Sequence, residues 1–164
     1  MEIFKKGIKF NNLAEVYVGL KLKHITINKL IDLIENNQVK HFEAEDYTAL
    51  IINKDSEIKF SNELQKISSK KSLISSDGTR IWYLEFILRK INKYNTTSML
   101  DFKTKILEGV YELFYFFDYP SEWSLSKFIL YSVDNDGKSL NQDELYNNLL
   151  TFIDKEIDFF IRRV

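Results

Sequence analysis

Residues 98–119, SMLDFKTKILEGVYELFYFFDY, decide the fold. At the ~100° per residue of an α-helix, Phe102, Ile106, Leu107, Val110, Leu113, Phe114 and Phe117 fall on one side, with Asp101, Lys105, Glu108, Glu112 and Tyr115 opposite. The spacing predicts a long amphipathic helix. Thr97 or Ser98 offers a hydroxyl to the free N–H groups of its first turn, and Asp101 places negative charge there. Its end is set by Pro120, the only proline in the chain, which disfavours helical geometry at the residue before it. An apolar face ending in Leu113, Phe114 and Phe117 must be covered, so this helix is expected to be the spine of the core.

Outward from the spine, helical spacing recurs on both sides. Towards the N-terminus, Trp82, Phe86, Arg89 and Lys93 form one stripe within 79–94, and Ile81, Leu84, Ile87, Leu88 and Ile91 form a second, apolar one. Asn12 precedes Leu13, Val16, Tyr17 and Leu20, and Thr26 precedes Ile27, Leu30, Ile31 and Ile34, so each is read as the N-cap of a helix. Residues 43–53 open with acids and read as a helix, although Thr48–Ile52 also suits a short strand. Residues 56–69 are helical at least in their second half. Residues 1–11 read as an irregular or strand-like arm, and SSKKSLISSDG at 68–78 as a mobile loop.

Beyond Pro120, SEWSLSKFILY (121–131) reads as a helix, with Pro120 in its first turn and Asp118 or Tyr119 at its cap. The turn DNDGKS, 134–139, then leads to a last long helix. Asn141 with Glu144, or Ser139 with Gln142, fits a capping box there, ahead of the stripe Leu145, Leu149, Phe152, Ile153, Ile157 and Phe160. The expected architecture is a single all-α domain over residues 1–164, about seven helices around the helix at 98–119.

Composition narrows the function classes. The 164 residues are 45% hydrophobic, 29% charged and 15% aromatic, which is globular rather than disordered. No Cys is present, so disulfides and thiolate chemistry are excluded. Lysines near the N-terminus are not followed by the ~7–15 apolar residues of a secretory signal, and no apolar run approaches the ~20 residues of a membrane span. A soluble cytoplasmic protein is expected.

Motifs for chemistry fall short of their templates. SVDNDGKSLNQD (132–143) resembles a calcium loop at Asp134, Asp136 and Gly137, but Ser132, Ser139 and Asp143 occupy the first, eighth and twelfth positions. An Asx- and Gly-rich turn is the better reading. Gly137-Lys138-Ser139 lacks the earlier glycine of a phosphate loop. His24 and His41 have no ligand partners at metal spacing, and Glu108 and Glu112, one turn apart, lie opposite the apolar stripe. Neither a catalytic residue, a metal site nor a cofactor is expected, and the chain is read as a non-enzyme.

Charge is uneven: residues 59–107 carry ten Lys or Arg against four Asp or Glu, and residues 108–158 carry three against eleven. The first reading is therefore a binding protein whose acidic residues Glu108, Glu112, Asp118 and Glu122 meet a basic protein partner such as a toxin. The alternative is a nucleic-acid-binding domain using the basic segment 59–107, with Trp82 and Phe86 stacking bases and Arg89 and Lys93 neutralising phosphates. The same stripe also suits a second packed face with Arg and Lys stems running out to water.

Two segments carry a family resemblance. Val16-Tyr17-Val18-Gly19-Leu20-Lys21, followed by His24-Ile25-Thr26, and the series from Val110-Tyr111 through Phe117-Asp118-Tyr119-Pro120 to Phe128 and Tyr131 resemble the bacterial family of domain of unknown function 2247. After Tyr131 the chain departs from it, with Ser132-Val133 in place of Met-Pro. The resemblance implies no activity or ligand. Proteins of this type are sometimes neighbours of bacterial toxin systems, where they act as immunity proteins.

Overall fold

A computed structural model describes residues 1–70, 76–94 and 102–163. The all-α expectation holds, with 69% of the described residues helical. Among the described residues are nine helices and one two-stranded parallel sheet. Contacts divide the chain into two compact units, Gly7–Trp82 and Met1–Lys6 with Tyr83–Val164. No helix among the described residues is long and apolar enough to cross a membrane.

The unit Gly7–Trp82 begins with strand β1 (Phe10–Asn12), and helices α2 (Leu13–Lys21) and α3 (Ile27–Glu35) connect it to β2 (Val39–His41), its parallel partner. Phe10 pairs with Val39 and Asn12 with His41. The expected caps are in place: Asn12 accepts the Glu15 N–H at 3.2 Å, and Thr26 accepts that of Lys29 at 3.2 Å. Both satisfy donors that the first helical turn leaves open.

Helices α4 (Ala44–Ile52) and α5 (Glu57–Lys70) follow, and α2 and α4 pack on α5. Residues 48–52 are thus helical rather than strand, because Glu43 and Asp46 close a capping box that starts α4. The expected loop at 68–78 is helical at both ends, within α5 and within α6 (Ser76–Tyr94); residues 71–75 lie outside the described residues.

The second unit contains α1 (Glu2–Lys5), α6 from Tyr83 onward, α7 (Phe102–Phe116), α8 (Ser121–Leu125) and α9 (Gln142–Arg162). Helix α1 falls where an irregular arm was expected; its Ile3 N–H donates to the buried Glu85 carboxylate of α6 at 2.9 Å. The spine helix is α7, which packs on α9. It buries Ile106, Leu107, Val110, Leu113 and, just past its end, Phe117, and turns Glu108, Glu112 and Tyr115 outward, as the periodicity requires. The expected caps Thr97 and Ser98 lie outside the described residues. Asn141 and Glu144 close the capping box of α9, whose Leu145, Leu149, Phe152, Ile153 and Phe160 are buried.

The expected helix at 121–131 is a correction: α8 ends after Leu125, and Pro120 is its N-cap rather than a first-turn residue. The chain then turns through left-handed Lys127 (φ 53°) and Tyr131 (φ 72°), between which Phe128 and Ile129 are buried. A continued helix cannot hold left-handed residues, so burying that apolar pair overrode local periodicity.

Candidate protein-binding surface

The acidic residues proposed from sequence sit on α7, on the corner after it and on α8, all within the unit that contains Tyr83–Val164. The corner is built by hydrogen bonds that close the C-terminus of α7. Tyr119 N–H donates to the Phe114 carbonyl at 2.9 Å and Asp118 N–H to that of Tyr115 at 3.1 Å, the pairing of a Schellman motif. That motif needs a left-handed residue after the cap. Here Asp118 (φ 57°) supplies it, and Tyr119 (φ 59°) is left-handed as well. Pro120 then starts α8 one residue before Ser121.

Glu108, Glu112, Asp118 and Glu122 are all exposed. Among the described residues, Glu112 is the one of the four bridged by a lysine: Lys90 Nζ lies 2.8 Å from its Oε2. The hydrogen bond from Lys90, the lysine's charge and that of Lys93 hold the Glu112 carboxyl below its ordinary pKa. Asp118 and Glu122 converge on Tyr83, whose phenol is raised above its ordinary pKa first by burial, then by the two carboxylates. Between Glu108 and Asp136 the chain carries six carboxylates and a single base, Lys127.

Tyrosines that the acidic reading left out lie among these carboxylates. Tyr115 is 50% exposed, Tyr119 53% and Tyr131 83%. Tyr111, half-buried, shares a hydrogen bond with Tyr115 between the hydroxyls at 2.6 Å. That bond, with burial and the charges of neighbouring phenols, pushes the Tyr111 pKa up to about 12. The spacing 111, 115, 119 could have revealed the first three, whereas Tyr131 was hidden by the helix expected there.

The aromatic-basic stripe fares differently. Trp82 is fully buried, with its indole N–H donating to the Glu15 carbonyl at 2.9 Å, and so offers no face to a base. Phe86 is half-buried against Phe117, their ring centres 5.5 Å apart. Arg89 lies over the Phe86 ring and binds the Glu85 carboxylate at 2.6 Å, while Lys93 is exposed, its ammonium 5.3 Å from the centre of the Tyr94 ring. The stripe is a packed face with its cationic ends at the surface. In the calcium-like stretch, the Asp134 carboxylate accepts the N–H groups of Asp136 and Lys138, as in an Asx turn.

No curated protein and no solved structure matches this chain. The profile of one family matches residues 1–157, so the chain belongs to the family described as an uncharacterised protein conserved in bacteria, DUF2247.

Proposed function

We propose that this is a cytoplasmic, non-enzymatic binding protein of immunity type, which takes a basic protein such as a toxin on the surface formed by Glu108, Glu112, Asp118 and Glu122. The observation that carries the reading is the concentration of carboxylate along Glu108–Asp136, a stretch with six acids and one lysine in which Glu108, Glu112, Asp118 and Glu122 are exposed. Opposite charge accelerates encounter and rejects wrong partners, while its contribution weakens as salt screens it.

The test compares the native chain with the triple variant Glu108→Lys, Glu112→Lys, Glu122→Lys as bait for proteins of the bacterial host. The expected result is a basic protein retained by the native chain at ~50 mM salt, shed as the Debye length falls with added salt, and not retained by the variant. Retention of the same protein by both baits would place the binding site elsewhere. The absence of any salt-sensitive partner would sink the reading.

A further inference from the structure

Three exposed tyrosines and one half-buried tyrosine, from three separate stretches of chain, meet beside Glu112 and Asp118. Tyr111 and Tyr115 come from α7, Tyr119 from the corner and Tyr131 from the turn after α8. Their ring centres form a continuous series: Tyr119 to Tyr115 at 5.0 Å, Tyr115 to Tyr111 at 4.9 Å, and Tyr111 to Tyr131 at 5.8 Å. Successive rings are steeply inclined, at 75°, 87° and 77°. Such edge-to-face contacts are favourable between rings, and the inclination of successive rings presents their faces in several directions.

The backbone holds two of these tyrosines outward at a cost. Tyr119 and Tyr131 have φ of 59° and 72°, in the left-handed region that bulky side chains disfavour. Neither is repaid by burial of its own ring, since both are more than half exposed. Left-handed backbone at bulky residues is enriched at functional sites, and these two rings are held at the surface rather than in the core.

We propose that Tyr111, Tyr115, Tyr119 and Tyr131 are the anchor of this surface, and that they receive arginine side chains of the basic partner. This rests on the acidic-surface reading above, and it adds which cation is preferred and which residues select it. Electron-rich phenol faces attract cations, and the flat, weakly hydrated guanidinium stacks on them better than an ammonium does. The carboxylates of Glu108, Asp118 and Glu122 supply the complementary charge, and tyrosine is a residue type that dominates interface energetics. Carboxylates alone already favour arginine through bidentate hydrogen bonds, and the tyrosines add a further preference that depends on their rings.

The test uses two probes, fluorescein-labelled octa-arginine and octa-lysine, titrated with the intact chain and followed by anisotropy at ~50 mM salt. The native chain is expected to bind octa-arginine about threefold or more tighter than octa-lysine, the ratio that one exposed cation–π contact supports. In Tyr115→Ala/Tyr119→Ala that ratio should fall by about threefold while the salt dependence persists, and Tyr115→Phe/Tyr119→Phe, which keeps the rings, should restore it. Should the double alanine variant misfold by circular dichroism, Tyr131→Ala, at the most exposed of the four, gives the same reading.

Equal binding of both peptides by the native chain, or a ratio unchanged by loss of the rings, overturns the anchor but leaves the acidic reading standing if Glu108→Lys/Glu112→Lys/Glu122→Lys abolishes binding. No binding of either peptide overturns both. A native chain that sediments as a dimer and is split by Tyr115→Arg would assign the surface to a second copy and overturn the proposal.

Discussion

The indole of Trp82 occupies the space a side chain would need at Gly19: a methyl built on Gly19 would lie 2.0 Å from the Trp82 Cζ2 and 2.3 Å from its Cε2. Helix α2 therefore carries a glycine in its interior, despite the ~1 kcal/mol that glycine costs there relative to alanine. The indole N–H is bonded one turn earlier, to the Glu15 carbonyl. Gly19→Ala is expected to lower stability by more than ~2 kcal/mol in urea unfolding, against the gain that alanine brings to an open helical site. A neutral or stabilising effect would mean that Trp82 does not rest on Gly19.

Helix α2 ends in a Schellman motif, with His24 N–H donating to the Gly19 carbonyl at 2.8 Å and Lys23 N–H to that of Leu20 at 2.9 Å. Lys23 is the left-handed residue, at φ 57°, and its side chain is exposed. Lys23→Gly should stabilise the chain by ~1 kcal/mol, because glycine adopts this conformation without the Cβ clash. Thermal unfolding checks it; a lower midpoint would contradict the strain argument.

Glu85 is completely buried and accepts two hydrogen bonds, from the Ile3 N–H at 2.9 Å and from Arg89 Nε at 2.6 Å. Glu85→Ala should cost about 2 kcal/mol by stranding a backbone donor at a buried site. Arg89→Ala should cost more, about 3 kcal/mol, because it leaves the Glu85 carboxylate buried without its counter-charge, although the arginine side chain itself is 43% exposed. A loss below about 1 kcal/mol from Arg89→Ala would show that the bond to Ile3, not the ion pair, is what keeps Glu85 in place.

Tyr111, with its pKa raised from 10.0 to about 12 by the hydrogen bond it shares with Tyr115, is favoured in its neutral form by the fold. A group raised on folding stabilises the native state fully below its unfolded pKa, so this contribution persists below pH 10 and is lost as the pH climbs towards 12. Spectrophotometric titration of phenolate should show a late-titrating tyrosine in the native chain, and Tyr115→Phe should bring Tyr111 to a lower pKa. An unchanged late fraction in Tyr115→Phe would assign it to another tyrosine.

How much was legible in the sequence follows the range of the interactions. Caps such as Asn12, Thr26 and the Asn141–Glu144 box join residues three apart, and the α7 stripe depends only on the helical repeat, so these were readable from short windows. The exposed acids were readable for the same reason, because Glu108 and Glu112 lie opposite an apolar face. The pairing of Phe10–Asn12 with Val39–His41 was not, since short strands are stabilised by partners remote in sequence.

Sequence alone determined the longer helices and which way their faces turn, because propensity, capping and periodicity act over one or two turns. Tertiary structure decided the cases in which a local pattern had two outcomes. The stripe of Trp82 and Phe86 suited either a nucleic-acid surface or a packed face, and Trp82 is buried, with its indole bonded across 67 positions to Glu15. Residues 121–131 suited one helix, but burial of Phe128 and Ile129 between left-handed Lys127 and Tyr131 ends it after Leu125. That same break carries Tyr131 to Tyr111, an approach between remote residues that no local periodicity encodes.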